Sequence, residues 1–197
     1  MYFIKRLFNP EIFQGIYKRK NYFEGWYYKL IDQQRQVVLA IIPGIAIGSS
    51  PKDAHTFIQV IDSIRGRVHH FKYPLDAFYA DKNRFFDIVP FPKKMLAPGI
   101  MGPYSFVPWM ECYHGIVNIH QKLKGNLNIA GDNISFDGGE GYVEKDWGRS
   151  FPEAWVWIQA NHFDDKDTSF MFSIAKIPWF GSSFVGFIHW LPIIDQR

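Results

Sequence analysis

The stretch GEGYVEKDWGRSFPEAWVWIQANHF, residues 139–163, carries the strongest fold signal in the chain. Five residues of its second half share one face of a predicted strand: Trp155, Trp157, Gln159, Asn161 and Phe163. An ordinary amphipathic strand separates apolar from polar side chains, but this face mixes two indoles with two amides. Because a buried amide is costly unless it is hydrogen-bonded, the mixture indicates a ligand cavity with apolar walls and a few polar groups. A packed core in which both amides bond to backbone is the alternative.

Two carboxylates precede that strand. Glu144 and Asp146 are two residues apart, so a continuing strand places them on one face. Lys145 and Arg149 could hold both carboxylates ionised. Burial near Trp147 would instead raise one carboxyl pKa and leave a protonated acid at neutral pH, as a general acid requires. A salt-bridged bend at the surface is the alternative reading.

The rest of the chain carries the same β signal. Short apolar and aromatic runs are bounded by Gly, Pro, Asn and Asp, which favours antiparallel hairpins in a sandwich or barrel. The predicted strands are residues 25–31, 37–42, 55–62, 67–73, 84–89, 115–123, 127–130, 133–136, 141–144, 154–163, 169–174 and 184–190. The sequence therefore predicts an all-β fold.

Residues 91–109 interrupt this pattern with four prolines: Pro92, Pro98, Pro103 and Pro108. Since proline cannot donate to a β-ladder, the stretch reads as a linker that ends near Trp109. A weak repeat agrees: GWYYKLID, VVLAIIPGIAIG and HTFIQVID before it are similar to AWVWIQANHFDD, SFMFSIAKIPWFG and VGFIHWL after it. We predict one β domain over residues 1–109 and an incomplete second one over 110–197. A chance likeness between two hairpins is the alternative.

Composition excludes several classes of protein. Aromatic residues make up 18% of the 197 residues, which excludes disorder and requires an ample core or a lined cavity. A net charge of +3 is too balanced for a nucleic-acid partner. The single cysteine, Cys112, rules out an internal disulfide and a cysteine-based zinc cage. Its spacing from His114 leaves a thiolate–imidazole pair open, although a small buried thiol is the commoner reading.

No nucleotide, metalloprotease or hydrolase motif is present, and the histidines are scattered, so no metal and no cofactor is expected. The longest apolar run, residues 37–48, contains a proline and is shorter than the ~18–20 residues of a spanning helix. The N-terminal sequence MYFIKRLFNP lacks the apolar stretch of a secretory signal. We expect a cytoplasmic protein, with peripheral membrane association left open.

Five segments together resemble the tocopherol cyclase-like family. They are FEGWYYK (residues 23–29), HTFIQ (55–59), ECYHG (111–115), GYVEKDWGRSFP (141–152) and the W-x-W-x-Q-x-N pattern that starts at Trp155. The chain is more distantly similar to carotenoid 1,2-hydratase-type proteins, which are built from two lipocalin-like barrels. The resemblance implies two antiparallel lipocalin-like (calycin) β-barrel domains in tandem. Because members of the family are longer, it also implies that the second domain is truncated.

The resemblance further implies a reaction, the closure of a prenylated hydroquinone to a chromanol by an intramolecular lyase or isomerase. Such a reaction protonates a trisubstituted alkene, and the phenol oxygen captures the tertiary cation without a redox cofactor. It needs a general acid, a dry cavity and aromatic faces. The partner is then a hydrophobic small molecule.

On this reading Asp146 or Glu144 donates the proton. The predicted cavity wall consists of Trp26, Trp147, Trp155 and Trp157. The predicted polar contacts to substrate are Glu24, His55, Gln59, His114, Gln159 and Asn161. Two alternatives use the same residues: a lipocalin-like binding protein without catalysis, and a packed sandwich without a cavity.

Overall fold

The computed structural model describes residues 6, 8–80, 99–107, 110–129, 131–164 and 168–191. In this part of the chain the sequence folds mainly into antiparallel strands, so the all-β prediction is confirmed. The strands are β1 (Tyr22–Ile31), β2 (Val38–Ile47), β3 (His55–Asp62), β4 (Arg67–Tyr73), β5 (Cys112–Lys122), β6 (Asn126–Ile129), β7 (Asp132–Ser135), β8 (Glu140–Gly148), β9 (Trp155–Ala160), β10 (Phe170–Trp179) and β11 (Ser182–Trp190). Three 3-10 helices of three to five residues lie between the described strands, at Pro51–Asp53, Leu75–Ala77 and Gly102–Phe106. Among the described residues no helix could serve as a membrane span.

The strands form three sheets. A six-stranded sheet has the order β4-β3-β2-β1-β8-β5, a three-stranded sheet has the order β11-β10-β9, and β6 pairs with β7. Within the described ranges none of these sheets closes into the barrel that the sequence predicted, because β4 and β5 remain the two edges of the largest sheet. The two larger sheets instead pack against each other around Ile116, Tyr142 and Met171.

Strands from both sides of residue 109 share the six-stranded sheet. Antiparallel pairing of β1 with β8 runs from the Phe23–Gly148 pair to the Ile31–Glu140 pair. The repeated segments are the meanders β1-β2-β3 and β9-β10-β11. Trp109 and the predicted strand 84–89 lie outside the described residues. The division at residue 109 stays a prediction, with the two parts hydrogen-bonded along β1 and β8.

Strand β2 runs farther than predicted and passes through a proline. The predicted strand 37–42 ended before Pro43, but β2 continues to Ile47. Pro43 pairs with Ile58 of β3, whereas the β1–β2 ladder skips Ile42 and Pro43. The missing N–H therefore falls at a gap in the ladder, where it costs no hydrogen bond.

The outer face of the largest sheet holds a buried ion pair. Lys145 Nζ lies 2.5 Å from Glu24 Oε1, and both side chains are fully buried. The ammonium also donates to the carbonyls of Pro10, at 2.8 Å, and Ile12. It lies over the rings of Trp26 and Trp147, 5.0 and 4.9 Å from their centroids.

The N-terminal segment closes over this pair. The backbone N–H groups of Gln14 and Gly15 donate to the Glu24 carboxylate at 2.9–3.0 Å, and the Tyr22 hydroxyl donates at 2.5 Å. Each of these hydrogen bonds compensates part of the cost of burying a charge. The ion pair therefore fixes the N-terminal segment to the outer face, away from the face described next.

Candidate active site

A cavity of about 450 Å³ lies between the two larger sheets, beside the Tyr142 core cluster. It is bounded by residues of β1, β2, β3, β5 and β8 on one side, and by β9, β10 and β11 on the other. Its walls are mainly apolar and include Phe23, Tyr27, Phe57, Met110, Phe151, Trp155, Trp157, Ile177 and Ile188. Gly25 and Gly186 leave room between these side chains.

Three ionisable side chains meet at the wall of this cavity. In the β5–β8 ladder His114 is opposite Asp146 and Ile116 is opposite Glu144, so the imidazole lies beside both carboxylates. His114 Nδ1 is 2.8 Å from Asp146 Oδ1, and His114 Nε2 is 3.3 Å from Glu144 Oε2. The first contact is a hydrogen bond, while Nε2 has no hydrogen-bonded partner in the described part of the chain.

The environment of Glu144 favours its protonated form. Burial raises the pKa of Glu144 to about 7, against the opposing charge of His114, and the charge of Asp146 adds to the rise. Hydrogen bonds from Tyr142 Oη at 2.5 Å and Trp157 Nε1 at 3.0 Å limit the rise, since they stabilise the carboxylate. Glu144 can therefore hold or release a proton near neutral pH.

His114 carries the positive charge of the cluster. Burial alone would lower the pKa of His114, but the charges of Glu144 and Asp146 outweigh burial and raise that pKa to about 9. The imidazole is then protonated at neutral pH and lies between the two carboxylates. Because the three groups interact strongly, their titration steps belong to the cluster as a whole.

An NMR titration checks the charge of His114. We expect one imidazole resonance, missing in H114Q, to titrate near pH 9 in the folded protein. Because the folded state binds this proton more tightly than the unfolded chain, the stability it contributes is complete below pH 6.5 and is lost as pH rises through about 9. If every imidazole resonance titrated below pH 7, the proposed charge distribution would be wrong.

Cys112 lies in the same wall but carries no thiolate. Its Sγ contacts Asp146 Oδ1 at 3.9 Å. Burial and the neighbouring carboxylates raise the pKa of the thiol far above its usual range. The thiolate–imidazole pair that the spacing left open is therefore not favoured, because both Cys112 and His114 contact Asp146 and the thiol stays neutral.

The cluster could also hold a metal ion by distance alone, since donor atoms of His114, Glu144 and Asp146 lie within 4.8 Å of one another. Both imidazole nitrogens, however, already face carboxylate oxygens. That arrangement is typical of groups that share protons.

The structure brings together half of the residues predicted for the site. The cavity is lined by Gln59, His114, Glu144, Asp146, Trp155 and Trp157. Glu24, Trp26 and Trp147 lie on the opposite face of the sheet, in the ion-pair cluster with Lys145. Alternation along β1 and β8 causes this separation, because Glu24 and Trp26 point away from Tyr27 and Trp147 points away from Asp146.

The other predicted residues also lie outside the cavity lining. His55 begins β3, and its Nδ1 is 3.0 Å from the carbonyl oxygen of Asp53. Gln159 lies farther along β9, and Asn161 directly follows the last residue of that strand. Gln159 accepts a hydrogen bond from Lys29 Nζ at 2.9 Å, and Asn161 donates to the Gly141 carbonyl at 3.3 Å.

Two tyrosines of the site were not predicted as site residues. Tyr142 is two residues before Glu144, so the alternation that paired Glu144 with Asp146 could have found it. Tyr27 lines the cavity, and burial with the nearby charge of Glu144 raises its pKa to about 12. Burial and the charge of Glu144 also raise the pKa of Tyr142, so both phenols stay protonated and can donate hydrogen bonds at neutral pH.

The comparison with known families agrees with the resemblance in the sequence. Residues 87–175 match a family model described as tocopherol cyclase-like, which confirms that resemblance. The matched stretch includes His114, Glu144 and Asp146. No protein with a curated description matches the chain.

Proposed function

We propose that this tocopherol cyclase-like protein closes a prenylated hydroquinone, or a related isoprenoid, by protonating its alkene without a redox cofactor. The observation that supports this proposal most strongly is the burial of Glu144 at the wall of an apolar cavity, which raises its pKa to about 7. A cyclase of this type needs an acid that is protonated at its working pH and is shielded from water.

In the proposed reaction, Glu144 transfers its proton to the less substituted carbon of the alkene. The π bond breaks, a C–H bond forms and a tertiary cation remains. The phenol oxygen of the substrate then forms a C–O bond to the tertiary, cationic carbon and loses its proton, which returns to the Glu144 carboxylate. The product is an isomer of the substrate, and the enzyme ends in its starting protonation state.

Asp146 and His114 support this transfer. The Asp146 side chain is 26% exposed and that of Glu144 is 5% exposed, so the Glu144 carboxyl group is the one less accessible to water. Asp146 holds His114 Nδ1, which places the positive imidazole beside Glu144. That charge stabilises the carboxylate left after proton transfer.

The aromatic wall suits the cation. Tyr27 and Trp157 pack edge to face with ring centroids 5.3 Å apart, and both line the cavity. Aromatic faces attract a cation most strongly where water is excluded. The resemblance implies a lipocalin-like ligand site, and in this proposal the cavity between the two larger sheets is that site.

Incubation with prenylated hydroquinones of increasing chain length tests the proposal. We expect a chromanol of unchanged mass, separated from the substrate by chromatography. E153Q is the matched control, because Glu153 is an exposed carboxylate paired with Lys176 on β10. Binding of the whole series without any conversion would contradict an enzyme and favour a binding protein.

The rate should also depend on pH in a defined direction. Because the donor must be protonated, kcat is expected to fall as pH rises through about 7. Steady-state rates between pH 5 and 9 measure this dependence. A kcat that increases over that range would indicate a group acting as a base instead.

A further inference from the structure

The two oxygens of Glu144 have different surroundings. Oε2 accepts hydrogen bonds from Tyr142 Oη and Trp157 Nε1, and His114 Nε2 lies 3.3 Å from the same oxygen. Among the described residues no hydrogen bond reaches Oε1, although Glu144 lines the cavity. Among the described residues, the hydrogen bonds and the ion-pair contact of this carboxyl group are thus all on one oxygen.

The two donors hold Glu144 from opposite sheets. Tyr142 precedes it on β8 and is completely buried in the core cluster with Ile116 and Met171. Trp157 lies on β9 of the three-stranded sheet, packs against the same cluster and also lines the cavity. The carboxyl group is therefore held between two packed layers, which fixes its orientation.

We infer that Tyr142 and Trp157 are positioning residues that hold Oε2 of Glu144, so that Oε1 carries the transferable proton toward the cavity. The proton transfer from Oε1 rests on the proposed function, but the two hydrogen bonds that position Oε2 do not. Donors to Oε2 stabilise the ionised carboxylate and so oppose the effect of burial on its pKa. Without them Glu144 would keep its proton too tightly to act as an efficient acid at neutral pH.

Two variants remove one donor each. Y142F loses the hydroxyl and keeps the buried ring, and W157F loses the indole N–H while keeping an aromatic side chain. The carbonyl stretch of the protonated carboxyl group, identified by infrared spectroscopy from its absence in E144Q, reports the titration of Glu144 directly. We expect the midpoint to move to higher pH by about one to two units in each variant.

Matched controls separate the hydrogen bonds from general effects of substitution. Y113F removes a hydroxyl that donates to the Val107 carbonyl, away from Glu144. W155F replaces a tryptophan of the same cavity that has no hydrogen bond to Glu144 among the described contacts. In both controls we expect the midpoint of the Glu144 band to match that of the wild type.

The experiment distinguishes this inference from the proposed function. A midpoint in Y142F and W157F that is unchanged, or lower than in the wild type, overturns the inference whether or not the protein is an enzyme. If the midpoints rise as expected, the positioning role stands, even where no substrate is converted and the cyclase proposal fails. In an active enzyme, the pH at which kcat falls to half should shift to higher pH by the same amount as the midpoint of the infrared band.

Discussion

Replacing Glu144 by glutamine is expected to lower the rate of chromanol formation by about 10²–10⁴-fold, the usual contribution of a general acid. The substitution keeps the shape of the side chain but removes its transferable proton. The amide oxygen can still accept the hydrogen bonds from Tyr142 and Trp157. Fold and ligand affinity should therefore change little, and single-turnover rates with bound substrate measure the loss.

The variant D146N distinguishes the role of Asp146 from that of Glu144. Asp146 orients His114 in this account, so its amide variant should retain more activity than E144Q and keep Glu144 as the donor. E153Q should match the wild type. If E144Q stayed active while D146N lost the larger part of the rate, Asp146 would be the proton donor and the assignment of roles would be wrong.

Breaking the Glu24–Lys145 ion pair is expected to lower the free energy of unfolding by about 3–5 kcal/mol, because the remaining charge is left buried without its partner. Burial already lowers the pKa of Lys145, which shows the cost of its charge. E24Q leaves the ammonium without its carboxylate, and K145M leaves the carboxylate without its cation. Denaturant unfolding of each variant measures the loss.

The double variant E24Q/K145M tests the physical reason. It carries no buried charge at this place, so we expect it to be more stable than K145M alone. It should not reach wild-type stability, because the carbonyls of Pro10 and Ile12 lose their donor. Breaking the exposed Lys176–Glu153 pair with E153Q is the control, and it should change the free energy of unfolding little. If breaking the exposed pair lowered the free energy of unfolding as much as breaking the buried pair, burial would not be the cause of the loss.

Local patterns predicted most of the strands. Residues 55–62 and 67–73 agree with β3 and β4 at both ends, because their alternation and turn residues lie close in sequence. The strand predicted over residues 141–144 extends to Gly148 in β8. Its charged residues looked like a bend at the surface. Lys145 stays in the strand because Glu24, on the neighbouring strand, neutralises it.

The site could be predicted only in part. Alternation placed Glu144 with Asp146 and Trp155 with Trp157, since spacing within one strand decides which residues share a face. It could not decide which face of β1 meets the cavity, because that depends on pairing with β8 and on the N-terminal segment that covers the other side. The same limit applies to His114, whose contacts with both carboxylates require the β5–β8 register.

In the proposed reaction, a proton held by Glu144 is added to a substrate alkene. Turnover of a prenylated hydroquinone in D₂O tests this most directly, with the product analysed by mass spectrometry after its exchangeable positions are returned to hydrogen. We predict a chromanol with one carbon-bound deuterium, formed by the wild type and almost absent with E144Q. A bound substrate that gives no product, or a product without deuterium, would contradict the account.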